Sequence, residues 1–103
     1  MAMVDERVVS PDDVYIAGDI GIRHSINLIA GDTIATVAIT VYNEAGEDVT
    51  SDIAGSGVIH TGGYTTCALS GFGAGESYRV HHHVTTAHLK EFNDYILIRC
   101  TEQ

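Results

Sequence analysis

A chain of 103 residues builds one small domain, since about 100 to 150 residues normally share a single core, and that length excludes a two-domain enzyme. Hydrophobic residues make up 45%, enough to pack an interior and to set disorder aside. Five Lys and Arg against 14 Asp and Glu leave a net charge of −9, which repels phosphate backbones and anionic headgroups and so argues against nucleic acid or a membrane surface as partner.

Apolar runs are only a few residues long, far short of the roughly 18 needed to span a bilayer. The first residues lack a basic stretch followed by an apolar one, so no secretory signal is expected. Eleven Gly against one Pro and no Trp, with many Thr, Val and Ile, predict short β-strands joined by glycine turns. Residues 1 to about 12 are polar and acidic around Ser10-Pro11-Asp12-Asp13 and carry no repeat. They predict a flexible N-terminal arm that orders against a partner, taken as residues 1–20, ahead of a domain at 21–103. In Gly21-Ile22-Arg23-His24-Ser25-Ile26-Asn27-Leu28, the residues Ile22, His24, Ile26 and Leu28 share one face, the period of a half-buried strand. A Gly31-Asp32 turn follows. Over residues 33–43, Ala35, Val37, Ile39 and Val41 share the face expected to point inward, and Ile34, Thr36, Ala38, Thr40 and Tyr42 the other.

Glu44-Ala45-Gly46-Glu47 predicts a hairpin turn, and residues 49–53 a weaker strand or irregular stretch before Gly55 and Gly57 break the chain. Val58-Ile59-His60 reads as a short strand, Gly62-Gly63 as a turn, and 64–69 as a strand with Thr65, Cys67 and Leu69 on one side. The loop Ser70-Gly71-Phe72-Gly73-Ala74-Gly75-Glu76 needs conformations that only Gly adopts cheaply. Residues 77–86 form a strand in which Tyr78, Val80, His82 and Val84 face together, with His81 and His83 on the opposite side. Residues 87–92 connect it to a last strand at 93–101, where Tyr95, Leu97 and Arg99 oppose Ile96, Ile98 and Cys100. About seven short strands at this spacing predict an all-β domain, a β-sandwich in preference to a small barrel that would read alike.

Little in the sequence points to chemistry. Cys67 and Cys100 lie in apolar strand-like runs and are expected to be free, buried thiols. His81 and His83 project to one side with Cα atoms roughly 7 Å apart, a spacing that two ligands of one metal ion share. Further ligands would have to come from His24, His60, His88, Asp94 or Glu76, which the sequence does not bring together. The structural reading is preferred: His81 and His83 on a solvated or subunit-facing sheet surface, His82 half-buried with a hydrogen-bonding partner. No G-x-S-x-G elbow is present, and the Gly71, Gly73, Gly75 run has neither a following helix nor a Lys to cradle phosphate. The pairs Asp12-Asp13 and Glu47-Asp48 read as solvated turns, and the five tyrosines as packing or contact residues. No catalytic residue, cofactor or metal is expected.

The order of the pieces SPDDV…Y, INLIAGDTIATVAITV, TTCALSGFGAGESYRVHHHVTT and NDYILIRC resembles a group of small tailed-bacteriophage virion proteins, fibre–tail adaptor or neck-associated proteins with an immunoglobulin-like fold. The likeness rests on Gly31-Asp32-Thr33-Ile34 after a Pro-Asp arm, on the run from Leu69 through the glycine turn to Tyr78-Arg79-Val80, and on Val84-Thr85-Thr86. It covers nearly the whole chain. Ile22, His24 and Ile26 stand where the group usually has aromatic residues, and His81, His82 and His83 replace its polar residues, so the attachment partners are expected to differ. The resemblance implies a single immunoglobulin-like β-sandwich of about seven short strands with a flexible N-terminal arm. It further implies a non-enzymatic virion component without cofactor, made in the bacterial cytoplasm and assembled in several symmetric copies. Expected partners are other virion proteins of the portal or neck, tail, fibre or capsid. Contacts are expected through Pro11, Asp12, Asp13 and Tyr15 of the arm, Phe72 of the glycine loop, and His81 and His83. The expected role is an adaptor in the neck or tail, attaching fibres or connecting head to tail. A capsid decoration protein and a host-surface or glycan-binding module are the competing readings.

Overall fold

The computed structural model describes residues 2–23, 31–55, 59–61 and 63–102. Positions 24–28 of the expected second strand, with His24, Ile26 and Leu28, lie outside the described residues, as do Gly57, Val58 and Gly62. In chain order the elements are β1 (Ala2–Val9), β2 (Gly21–Arg23), β3 (Ile34–Asn43), a single helical turn α1 (Thr50–Ile53), β4 (Ile59–Thr61), β5 (Tyr64–Thr66), β6 (Ser77–Thr86) and β7 (Glu91–Cys100).

Alternation builds the long strands. In β6, Tyr78, Val80, His82 and Val84 are all buried on one face, and β7 answers with Asp94, Ile96, Ile98 and Cys100. In β3, Val41 is fully buried and Ile39 half-buried, as the pattern predicts. Ala35 departs from it: the register shifts between Ile34 and Thr36, so Ile34 turns inward and Ala35 is exposed. The strands form two sheets, one ordered β1-β7-β6-β3 and one ordered β2-β5-β4. Ile22, Cys67 and Leu69 on the side of the smaller sheet pack against Val41, Val80, Ile96 and Ile98 of the larger one. The architecture is a β-sandwich of seven strands with open sheets, which decides against the barrel.

A polar contact crosses the core. The Thr65 hydroxyl of β5 and the Nδ1 of His82 in β6 lie 2.7 Å apart, both side chains buried. The expected half-buried histidine with a partner is therefore fully buried, in a link between the two sheets. Cys67 and Cys100 are free and buried, as expected.

The last strand begins at Glu91, two residues before its expected start, and three further stretches differ from the sequence reading. Residues 2–9 are not an irregular arm but an edge strand, parallel to β7, with Glu6 opposite Leu97 and Val9 opposite Cys100. Asp5, Glu6 and Arg7 hid it, because charges suppress the apolar alternation yet are well tolerated at a sheet edge. Residues 50–53 are a helical turn rather than a weak strand or irregular stretch: the Thr50 amide and hydroxyl both donate to Asp48 Oδ1, at 3.0 and 2.6 Å, and the Ala54 amide donates to Thr50 O at 2.8 Å. The strand expected over 64–69 stops at Thr66, and Leu69 instead makes single bridges to Tyr15 and Ala54.

Candidate functional site

Cross-strand register gathers residues that no single strand brings together. On the larger sheet Thr40 pairs with His81 and His81 with Tyr95, while Tyr42 pairs with Arg79 and Arg79 with Leu97. These side chains alternate with the core residues and therefore occupy the outer face. The His81 ring is enclosed by two tyrosines: Tyr42 meets it edge-on, centroids 5.0 Å apart and planes at 86°, and Tyr95 stacks on it at 5.2 Å and 20°. That cover leaves His81 only 6% exposed although it lies on the outer face. Its Nε2 and the Oδ1 of Asn93 are buried without a hydrogen-bond partner among the described residues. Burial pushes the His81 pKa down; the Asn93 side chain works the other way, and the Arg79 charge adds to the lowering.

Over these groups runs an open depression of about 570 Å³, bordered by Thr40, Tyr42, Arg79, His81, His83 and Asn93. The guanidinium of Arg79 has no ion-pair partner among the described residues. β1 widens the face with Met3 opposite Tyr95 and Val8 opposite Arg99, 52% and 68% exposed. Tyrosine, arginine and methionine on one open sheet surface are the residue types that anchor protein interfaces.

His81 and His83 share this face, as expected, but have different surroundings, since His83 is exposed and its Nε2 lies 2.9 Å from Glu91 Oε1. His24 lies outside the described residues and the His60 side chain is not described; the other residues considered as metal ligands, His88, Asp94 and Glu76, go elsewhere. His88 pairs through Nδ1 with Asp32 Oδ1 at 2.9 Å, Asp94 lies on the core side, and Glu76 is exposed in the glycine loop. Among the described residues no three His, Cys, Asp or Glu side chains converge. Burial alone raises the Cys67 thiol to about 11, so it stays protonated and unreactive at neutral pH.

The remaining expected contact residues form a second group. Asp13 Oδ2 accepts from the Ser10 amide and from the Tyr15 hydroxyl, both at 2.9 Å, which fixes the turn holding Pro11 and the exposed Asp12. The ring of Tyr15 meets Phe72 at 6.2 Å, and Phe72 meets Tyr78 at 5.9 Å. Phe72 is 4% exposed and belongs to the core. The structure thus joins Asp13, Tyr15 and Phe72 at the end of β6 where Tyr78 sits, and separates them from His81 and His83 on the outer face.

Sequence reasoning named Tyr42 and Tyr95 only among five tyrosines read as packing or contact residues, and gave Arg79 and Asn93 no contact role. Alternation had put Tyr42 on one side of its strand and Tyr95 on one side of another, so the signal was present strand by strand. Only the pairing register shows that these sides are one surface. Residues 11–99 match the family model described as podophage GP4 fiber-tail adaptor protein gp77. No curated protein matches the chain.

Proposed function

The chain belongs to the podophage GP4 fiber-tail adaptor family, and from that premise we propose that it is a structural part of a phage tail, joining fibre to tail by protein–protein contact. The match carries this reading, because it runs from the turn after β1 to within one residue of the end of β7. Binding other tail proteins, through contacts and without catalysis, is the work such an adaptor does. We place the main contact on the outer face around Tyr42, Arg79, His81 and Tyr95, with His83 at its margin. The turn at Pro11, Asp12 and Asp13 forms a second contact. Arg79, which has no ion-pair partner among the described residues of a chain of charge −9, marks where an acidic group of the partner docks. In this reading the protein is made in the host cytoplasm and acts in several symmetric copies in the particle.

The test is complementation. Particles made without the chain are expected to lack fibres and to regain them when the wild-type chain is supplied. The double variant Tyr42→Ala, Arg79→Glu, folded by circular dichroism, should fail to restore them, since losing a central Tyr and Arg typically costs about 2 kcal/mol or more of binding. Full restoration by that variant would reject the sheet face as the contact. Fibres on particles that lack the chain would reject the adaptor role.

A further inference from the structure

β1 is attached in a way that allows another copy of the chain to supply it. Of its described side chains only Val9 is buried, while Met3 and Val8 are 52% and 68% exposed. Arg7 pairs within the strand to Asp5 at 2.9 Å, and the Glu6–Arg99 pair that does reach β7, at 2.8 Å, is exposed on both sides and so holds the strand only weakly. The ladder to β7 also slips between Met3 and Asp5. Beyond the strand the chain enters the turn at Ser10 and Pro11, closed by the Asp13 amide donating to Ser10 O at 3.0 Å. After Val9 the described chain makes no sheet bridge until Tyr15 meets Leu69. The family match begins at residue 11, after β1.

We propose that, where several copies assemble, β1 leaves its own β7 and docks in the same parallel register on the β7 of a neighbouring copy. Val9 then fills the same core position in the neighbour, and Glu6 meets the neighbour's Arg99. The bonds lost and made are identical, so the balance is set by the hinge at residues 10–14 and by local concentration. At low concentration the strand closes on its own chain; held among its copies, it exchanges. The multi-copy setting rests on the adaptor reading above, whereas the test needs only the purified chain.

Two full-length single variants, Glu6→Cys and Leu97→Cys, are mixed at about 1 mM and oxidised. Glu6 faces Leu97 across the ladder, so exchange brings the two thiols of different chains together. The mixed disulfide dimer should exceed several-fold the yield from Glu6→Cys with Leu89→Cys, a site 84% exposed and outside the register. Peptide mapping should join position 6 to position 97, and the excess should fade on dilution. If Leu97→Cys does not fold, Val8→Cys with Arg99→Cys, the registered pair nearer the end of β7, gives the same readout. Equal yields from registered and unregistered mixtures at every concentration would overturn the exchange and leave the adaptor reading untouched. Fibred particles lacking the chain would do the reverse.

Discussion

Adjacent imidazoles at positions 81 and 82 meet opposite surroundings because a strand sends successive side chains to opposite faces. His82 is 1% exposed and bonded to Thr65, while His81 is covered by tyrosines on the outer surface. The inward face of His82 was legible in the spacing of Tyr78, Val80 and Val84. Its partner was not, because Thr65 lies 17 residues away on the other sheet. Replacing Thr65 by Val keeps the shape and removes the hydroxyl, leaving a buried ring nitrogen without that bond. The variant should lose about 1–3 kcal/mol in urea unfolding. An unchanged midpoint would show that the bond across the core adds nothing to stability.

At the scale of elements, the sequence disclosed what tertiary burial dictates and concealed what edges and local polar bonds dictate. β3, β6 and β7 alternate because one face of each is buried, so their faces could be read directly. β1 takes its form from the backbone of β7, and α1 from two bonds to Asp48, and neither leaves an apolar period. The glycine loop was legible as a demand for unusual backbone, and its packing sharpens that demand. Gly71 has φ +77°, and a Cβ there would sit 2.7 Å from the Asp52 carbonyl oxygen in the turn of α1. Gly46, in the hairpin after β3, has φ +83° with nothing within 4 Å of such a Cβ. Gly46→Ala should therefore cost only the backbone penalty of about 1–2 kcal/mol, and Gly71→Ala clearly more, read as the larger fall in melting temperature. Equal falls would mean that the loop moves away from α1 freely.

For the molecule as a whole, the displaced titrations set a window of stability. Burial first, then Arg79, lowers His81 from 6.5, and a hydrogen bond from Arg7 and bonds from Thr50 lower Asp5 and Asp48 from 3.8. Each binds fewer protons folded than unfolded, so stability should fall as pH drops below 6.5 and fall again below 3.8. The Cys67 thiol, raised by burial from 9.0 to about 11, acts in the opposite sense, and stability should decline between those values. A plateau between about pH 6.5 and 9 in denaturant midpoints is expected; a maximum at acid pH would contradict the burial of His81. The family placement could be read early because its glycine turn and Tyr-x-Val strand are contiguous in sequence. The proposed docking face could not, being spread over four strands. The parallel run of β1 beside β7 has a mechanical consequence. A pull on residue 2 and residue 102 in opposite directions slides the two strands along one another. Every rung of their ladder is then loaded at once, whereas an antiparallel hairpin would unzip rung by rung. In the adaptor role proposed above, a joint that carries the drag of a fibre gains from such shear loading, whichever chain provides β1.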